Sequence, residues 1–331
     1  MDKAHAWTDR QIARIQKRID RIYNKAENDL SKAAQDFVKA MRPKADKLLQ
    51  AIDGSEDKRA AANKYTVFWA VEARKSKAYD EFREAIAERM YEANQEAAVY
   101  INTQTPAVYQ ENYNRLGEGL QRQLNGYELQ PASLDDVEQF ADIQKQTINK
   151  VTDEKWNRSN VVTSVLAGAV TLLAVDKIAS HVVRQVTSRN RGSAYRQASD
   201  MCTGAENRGR MDGMRRAYDE GFEVKKEWVA ILDNRTRDTH RIYDGIGPID
   251  LDYEYNEGLR EPRDKNCQLP EEVCNCRCML APYTGNQKSR TRAAREGTVT
   301  GRVTERESFY GTKTISVPDM TYAEWMAWRS K

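Results

Sequence analysis

The residues whose types suit chemistry are concentrated in one stretch of the sequence, from Trp228 to Cys278. This stretch contains four of the five cysteines and one of the three histidines in the 331-residue chain. Thiolate, imidazole and carboxylate groups are the side chains that hold metal ions or move protons, so a site is first sought here. The candidate side chains are Asp233, Arg235, Arg237, His240, Asp244, Cys267, Cys274, Cys276 and Cys278.

One interpretation of these residues is a structural zinc site. Zinc takes four sulfur or nitrogen donors in a tetrahedron, and a small loop-rich module gains most from such a link because it buries little core. The predicted ligands are His240, Cys267, Cys276 and Cys278. The spacing Cys-x-Cys-x-Cys differs from the usual zinc pairing with two intervening residues. Free structural thiols, or a disulfide in an oxidised particle, are therefore the alternative interpretations.

An enzyme is a second possibility for the same stretch. His240 beside Asp233 and Asp244 offers a general base with an orienting carboxylate, and a cysteine could act as its nucleophile. The sequence contains no nucleophile elbow, phosphate-binding glycine loop or His-Glu-x-x-His pair. Arg235 and Arg237 are as readily explained by ion pairs with nearby aspartates. We expect no catalysis, and the alternative is a transferase or nuclease-like module that uses His240.

The sequence before this stretch is predicted to form long helices. Apolar residues recur three and four positions apart from Ile12 to Met41, which predicts an amphipathic helix with a charged outer face. Pro43 is expected to kink or divide this helix, and helix breaks are expected at Thr103–Pro106 and in a loop around Gly192.

The elements nearer to the candidate site differ in character. Gly221 is placed to end the last long helix. The β-branched and aromatic residues of Val224–Leu232 predict a strand, and His240 is expected on a short helix after it. Closely spaced glycines and prolines then predict a loop-rich module.

These elements predict a mostly α protein: a long N-terminal helical region, then a small loop-rich α+β module and an Arg-rich C-terminal tail. The segments are a helical docking region (1–160), connecting helices (161–222), the α+β module (223–282), and a basic linker with a C-terminal helix (283–331). The apolar stretch Val161–Val175 is too short to span a bilayer, so we expect a buried or oligomer-facing helix and no membrane contact. No secretory signal is recognised, which favours synthesis in a reducing cytosol.

Electrostatic partners must be sought locally, because 31% of the residues are charged but the formal net charge is only +3. The Arg-rich segment Asn286–Lys313 is one such patch, and Arg290, Arg292 and Arg295 are predicted to contact DNA phosphates. A flexible linker is the alternative interpretation of this segment. A nucleic-acid-binding accessory protein is accordingly one alternative function.

The motif residues of the stretch also resemble a known family, the Mu F-like minor head proteins of tailed phages, also called head morphogenesis or minor capsid proteins. The helix sequence from Gly204 to Gly213 and the ending from Met320 to Trp328 resemble that family as well. The residues that carry the resemblance are Trp228, Asp233, Arg235, Thr236, Arg237, His240, Asp244, Gly245, Gly258, Pro262, Asn275, Cys276, Arg277 and Cys278.

The resemblance implies a low-copy structural protein of the phage head, made in the host cytoplasm and located in the head interior or at the portal. It implies a role in procapsid morphogenesis and in genome packaging or delivery. The implied partners are the portal, the capsid or scaffold proteins and the packaged double-stranded DNA.

Overall fold

The computed structural model describes residues 3–148, 154–285, 291–296 and 313–329. It confirms a mostly α protein in which long helices precede a small module. The longer helices are α1 (Lys3–Asp29), α2 (Ser31–Asp53), α3 (Lys58–Val67), α4 (Lys77–Gln121), α5 (Leu134–Ile148), α6 (Glu154–Val170) and α7 (Val175–Asp219). A π-helical turn (Phe68–Glu72) and a 3-10 turn (Ala73–Lys75) join α3 to α4.

Shorter elements follow α7. They are β1 (Lys225–Val229), α8 (Asp238–Asp244), α9 (Pro270–Val273), β2 (Met279–Tyr283), β3 (Thr291–Glu296), β4 (Lys313–Pro318) and α10 (Tyr322–Arg329). Strands β1 and β2 pair antiparallel with Trp228 opposite Leu280, and β3 pairs antiparallel with β4. The predicted strand and the predicted short helix that carries His240 are therefore confirmed.

The chain folds as two compact units, each assembled from separated parts of the sequence. The site unit contains Met1–Ile15, Ile101–Thr147 and Arg196–Lys331, and the helical unit contains Gln16–Tyr100 and Ile148–Tyr195. These units differ from the four consecutive segments expected from the sequence, because helices far apart in the chain bury their apolar faces together.

Aromatic packing and a row of buried amides organise the helical unit. Phe37 stacks on Phe82 with ring centroids 4.4 Å apart. Tyr23 donates a hydrogen bond to Asn94 (2.5 Å), Asn94 donates to Asn190 (2.8 Å), and Asn190 donates to Asn157 (2.8 Å). Such a buried polar row fixes the register of the four helices because each misplaced partner would leave an unsatisfied polar group.

Several predicted helix breaks are wrong. The first break lies at Leu30, and Pro43 lies inside α2. Helix α4 continues through Pro106, where burial of Ile101 and Val108 on its inner face outweighs the lost hydrogen bond. The region around Gly192 is helical within α7 and is not a loop.

The apolar stretch forms the end of α6 and a turn before α7. Val161 and Val165 are buried, and a Cβ atom added at Gly168 would lie 3.1 Å from Ile178, so α6 and α7 approach closely there. One face of this stretch is therefore a buried helix face, one of the two expected possibilities, whereas Val170 and Leu172 are exposed. Within the described parts of the chain, no helix is both long and apolar enough to cross a membrane.

Helix α7 ends at Asp219, shortly before the first strand of the module. Gly221 has φ +90°, and the amide of Phe222 donates to the carbonyl of Ala217 (3.1 Å), as in a helix that closes on a left-handed residue. The predicted helix end at Gly221 is thus confirmed. Trp228 and Leu280 then form the centre of the module core.

The segment after the module is more ordered than a flexible linker where it is described. Residues 291–296 pair with 313–318 as a hairpin, and the expected C-terminal helix is α10. Val317, Tyr322 and Trp325 pack on Leu232, which lies three residues after the end of β1. The strand pair and α10 therefore pack on the module through a small cluster of their own, separate from the core around Trp228 and Leu280.

Candidate functional site: a buried cysteine and histidine cluster

A buried cluster of His240, Cys276 and Cys278 lies at the centre of the module. The Nδ1 atom of His240 lies 3.4 Å from the sulfur of Cys278 and 3.7 Å from that of Cys276. The three donor atoms all lie within 4.8 Å of one another. The residues are only 1%, 2% and 3% exposed, so solvent and substrates have little access to them.

Glu272 orients the imidazole from the other side. Its Oε2 atom lies 3.0 Å from Nε2 of His240 and also accepts a hydrogen bond from the hydroxyl of Thr239 (3.1 Å). A carboxylate at Nε2 favours the tautomer that carries the proton there, which leaves the Nδ1 lone pair directed at the two sulfurs. Helix α8 supplies the histidine and helix α9 the carboxylate.

The two thiols of the cluster ionise differently. Burial opposes ionisation of Cys276, but its contacts with Cys278 and His240 outweigh burial and hold the pKa of Cys276 well below its ordinary value. Burial and the neighbouring Cys276 raise the pKa of Cys278 well above its ordinary value. The pair therefore favours one thiolate and one thiol.

The other cysteines lie elsewhere. Cys267 was predicted to be the fourth ligand, but it is not part of the cluster, and its thiol contacts the carbonyl of Leu269 (3.6 Å). Cys274 is exposed. Cys202 is fully buried, and burial raises its pKa to about 12.

Trp228 forms the aromatic wall of the site. Its ring centroid lies 5.0 Å from that of His240, 5.3 Å from Tyr243 and 4.9 Å from Tyr255, all in edge-to-face arrangements. These contacts fix the plane of the imidazole and exclude water from it. Trp228 therefore acts by packing against the cluster, which accounts for its place in the motif.

Asp233 ties the Asp-x-Arg-Thr-Arg turn to the closing cysteines. The guanidinium of Arg277, between Cys276 and Cys278, makes two hydrogen bonds to its carboxylate, one of them at 2.9 Å. The Oδ1 atom also accepts from the amide of Arg235 (2.9 Å). Thr236 donates its hydroxyl to the carbonyl of Ile231 (2.5 Å), which closes the turn.

Asp244 joins three separate pieces of chain. Its carboxylate accepts from the amide of Ala230 (2.8 Å), from the amide of Tyr322 (2.6 Å) and twice from the guanidinium of Arg292. Arg292 is only 7% exposed. The prediction that Arg292 contacts DNA is therefore wrong, because its side chain is buried in an ion pair with Asp244.

The other predicted DNA contacts have different outcomes. Arg290 lies outside the described residues. The backbone of Arg295 pairs with Thr314 in the hairpin.

The remaining motif residues shape the backbone. Arg237 donates to the carbonyl of Cys274, which anchors the start of α8 to the cysteine loop. Gly245 is the residue that ends α8, and its amide donates to the carbonyl of Ile242. Asn275 has φ +56°, a left-handed conformation that asparagine tolerates. Arg235 is exposed.

Sequence reasoning missed the role of helix α7 in completing the sheet. The side chain of Asn207 accepts from the amide of Leu280 (2.7 Å) and donates to the carbonyl of Cys278 (3.0 Å). Arg210 donates to the carbonyl of Leu280 (3.1 Å). The side-chain amide of Asn207 thus makes the hydrogen bonds that the backbone of a third strand would make at the open edge of β2. Polar residues inside a predicted helix, close to the motif, were the available signal.

The same helix anchors the start of the chain. Glu206 pairs with Arg210 (3.1 Å) and with Nδ1 of His5 in α1 (3.1 Å), and all three side chains are buried. Burial lowers the pKa of His5, but the Glu206 carboxylate, with help from Asp9, outweighs it and raises the pKa to about 9. His5 is therefore held as an imidazolium by its partner.

Lys226 closes the loop that follows α8. It is fully buried, and its Nζ donates to the carbonyls of Leu251 (2.7 Å), Tyr253 (2.7 Å) and Arg260 (2.8 Å). Three acceptors match the three N–H groups of an ammonium. The lysine thus satisfies carbonyls that no strand partner reaches.

A cavity of about 190 Å³ lies beside this network in the site unit. Acidic, basic and aromatic side chains all line it, so its wall does not carry charge of a single sign. Burial raises the pKa of Glu261 to about 8 there. Its lining residues are Tyr109, Asp136, Gln139, Phe140, Gly204, Arg208, Asp212, Glu261, Arg263 and Lys265.

The comparisons with known proteins bear on this geometry. Residues 159–281 match the family described as Phage Mu protein F like protein. An NAD(+)--arginine ADP-ribosyltransferase EFV from Enterococcus faecalis (strain ATCC 700802 / V583) is 27% identical over 126 residues, which is 37% of this chain. The chain spans about a quarter (26%) of the length of that relative. No solved structure gave a significant match.

The family match covers α7, β1, the first part of β2 and the whole cysteine and histidine cluster, and it confirms the resemblance drawn from the motif residues. The family is one of phage head proteins, which associate with other structural proteins of the virion. Over residues 159–281, this chain is therefore similar to the Mu F-like phage proteins.

Proposed function

We propose that this chain is a structural protein of the minor head type that acts in head morphogenesis beside the portal, with a role in genome packaging or delivery. The family match over residues 159–281 carries the proposal. Long helices with charged outer faces suit docking among the subunits of a larger assembly.

The contacts made by the motif side chains support a structural role. The imidazole of His240 is directed at two buried thiols and a buried carboxylate, and Asp233 and Asp244 are occupied by arginines. A general base needs a substrate proton within hydrogen-bond reach. His240 is 1% exposed, so a substrate has no route to it in this arrangement. We therefore propose that the motif holds the module together and performs no catalysis.

Particle composition tests this proposal. A tagged copy of the chain is expressed during infection, and procapsids and mature heads are separated on gradients and analysed by mass spectrometry and cross-linking. We expect the chain in procapsids at low copy, cross-linked to the portal. Its absence from both particles would contradict a head protein, and its presence with cross-links only to other proteins would contradict the portal location.

The similarity to an ADP-ribosyltransferase raises transfer of ADP-ribose as the competing function. The alignment covers a quarter of that protein, so it does not by itself carry the activity across. The purified chain is incubated with NAD+ and an arginine-bearing acceptor, and released nicotinamide is measured. We expect no release above the background without protein. Release that His240→Ala abolishes in a folded protein would favour the enzyme.

A further inference from the structure

We infer that His240, Cys276 and Cys278 bind a zinc ion. The three donor atoms come from two separate parts of the chain and meet at one buried point of the module. Two buried thiol sulfurs and one imidazole nitrogen all lie within 4.8 Å of one another. These are the donor types that zinc selects in structural sites.

The distances match a tetrahedral ion. With Zn–S bonds of about 2.3 Å and Zn–N bonds of about 2.0–2.1 Å, a tetrahedron separates the nitrogen and sulfur donors by about 3.5 Å. Nδ1 of His240 lies 3.4 Å from the Cys278 sulfur and 3.7 Å from the Cys276 sulfur. An ion can therefore enter the cluster with little movement of the backbone.

The surroundings are those of a metal ligand. A zinc-bound histidine usually donates its second nitrogen to a carboxylate, and Glu272 occupies that position at 3.0 Å from Nε2. The hydroxyl of Thr239 holds the same carboxylate oxygen in place (3.1 Å).

The charges also balance in a buried site. A zinc ion with two thiolates and a neutral imidazole carries no net charge, so burying the complete set avoids the cost of an isolated ion. The positive charge of Arg277 beside the sulfurs is already neutralised by Asp233. Binding would join α8 to the cysteines that lead into β2.

The ligand set differs from the one expected from the sequence. Cys267 lies outside the group of donors, with its thiol near the carbonyl of Leu269. The ligands assigned from the structure are therefore His240, Cys276 and Cys278, without this thiol. Cys274, although part of the same motif, is exposed and serves as the matched control.

Metal analysis of the intact chain tests the inference. The protein is purified under reducing conditions without chelators, and zinc per chain is measured together with X-ray absorption at the zinc edge. We expect one zinc per chain, with sulfur neighbours at about 2.3 Å and nitrogen at about 2.0–2.1 Å. Cys274→Ser and Cys267→Ser should retain the metal, whereas Cys276→Ser and Cys278→Ser should lose it. Glu272→Gln should weaken zinc binding about 10–100-fold.

Variants that fail to fold do not block the test. Zinc is removed from the wild-type chain with a chelator and added back, while the thermal midpoint of unfolding is followed. We expect the midpoint to fall and then recover. A folded wild-type chain that neither contains nor takes up zinc would overturn the inference, as would a Cys276–Cys278 disulfide in the reduced preparation. Loss of zinc in Cys267→Ser equal to that in Cys276→Ser would overturn the ligand set.

Discussion

The guanidinium of Arg292 makes two hydrogen bonds to the carboxylate of Asp244, at 2.5 Å from Nη2 to Oδ1 and 3.1 Å from Nη1 to Oδ2. The same guanidinium donates to the carbonyl of Ala230 (2.6 Å). A residue from the Arg-rich segment after the module is therefore part of the module core. The pair joins β3, the end of β1 and the end of α8 at one buried point.

Removal of Arg292 should destabilise the fold strongly. Arg292→Ala leaves the Asp244 carboxylate buried without its counter-charge, and we expect the free energy of unfolding to fall by about 3–5 kcal/mol. Urea titration followed by circular dichroism measures the change. Arg215→Ala is the control, because Arg215 pairs with Asp252 in the same bidentate way at the exposed surface.

The control should cost about 1 kcal/mol or less. Equal losses of stability in the two variants would contradict a structural role for the buried Arg292–Asp244 pair. If Arg292→Ala instead kept its stability and lost affinity for DNA, the original assignment of this residue to phosphate contacts would be restored.

Lys226 should be needed for the loop from Leu251 to Arg260. Lys226→Met keeps the length of the side chain but leaves three carbonyls without donors, and each buried unsatisfied group costs about 1–3 kcal/mol. We expect a loss of several kcal/mol in the free energy of unfolding. Lys225→Met, the neighbouring residue on the opposite face of β1, should change stability little. A similar small effect of both substitutions would show that the loop carbonyls find other partners.

Asn207 offers a graded test of the sheet edge. Asn207→Asp keeps the acceptor for the Leu280 amide but loses the donor to the carbonyl of Cys278, whereas Asn207→Leu loses both. We expect both variants to be less stable than wild type. Protection of the Leu280 amide from hydrogen exchange should survive in Asn207→Asp and be lost in Asn207→Leu. Full protection of that amide in folded Asn207→Leu would contradict the role of this side chain.

The His5–Glu206 pair predicts a pH dependence of stability. Burial works against charging His5, but Glu206 raises its pKa to about 9. The unfolded imidazole has a pKa of about 6.5, so the stabilisation is complete below that pH and is lost as pH rises through about 9. The stability difference between wild type and His5→Gln should shrink by up to about 3 kcal/mol between about pH 6 and pH 10. Urea titrations at each pH measure it, and a constant difference would contradict the pairing.

The sequence by itself determined the elements near the motif. The strand at β1, the short helix that carries His240 and the helix end at Gly221 were all predictable, because each depends on residues close in the chain. The ordered motif from Asp233 to Cys278 was also enough to indicate the family. Side-chain types and their spacing can be taken directly from the sequence.

Only the tertiary structure decided which of these residues act together. Cys267 and Arg292 were assigned roles from their type and their neighbours in sequence, and both assignments failed in three dimensions. Asn207 was overlooked because its partners lie more than seventy residues away. Buried polar groups must find partners wherever the fold brings them, since leaving one unsatisfied costs more than a surface contact gains. That requirement selected His240, Cys276 and Cys278 as one cluster and drew Arg292 into the core beside Asp244.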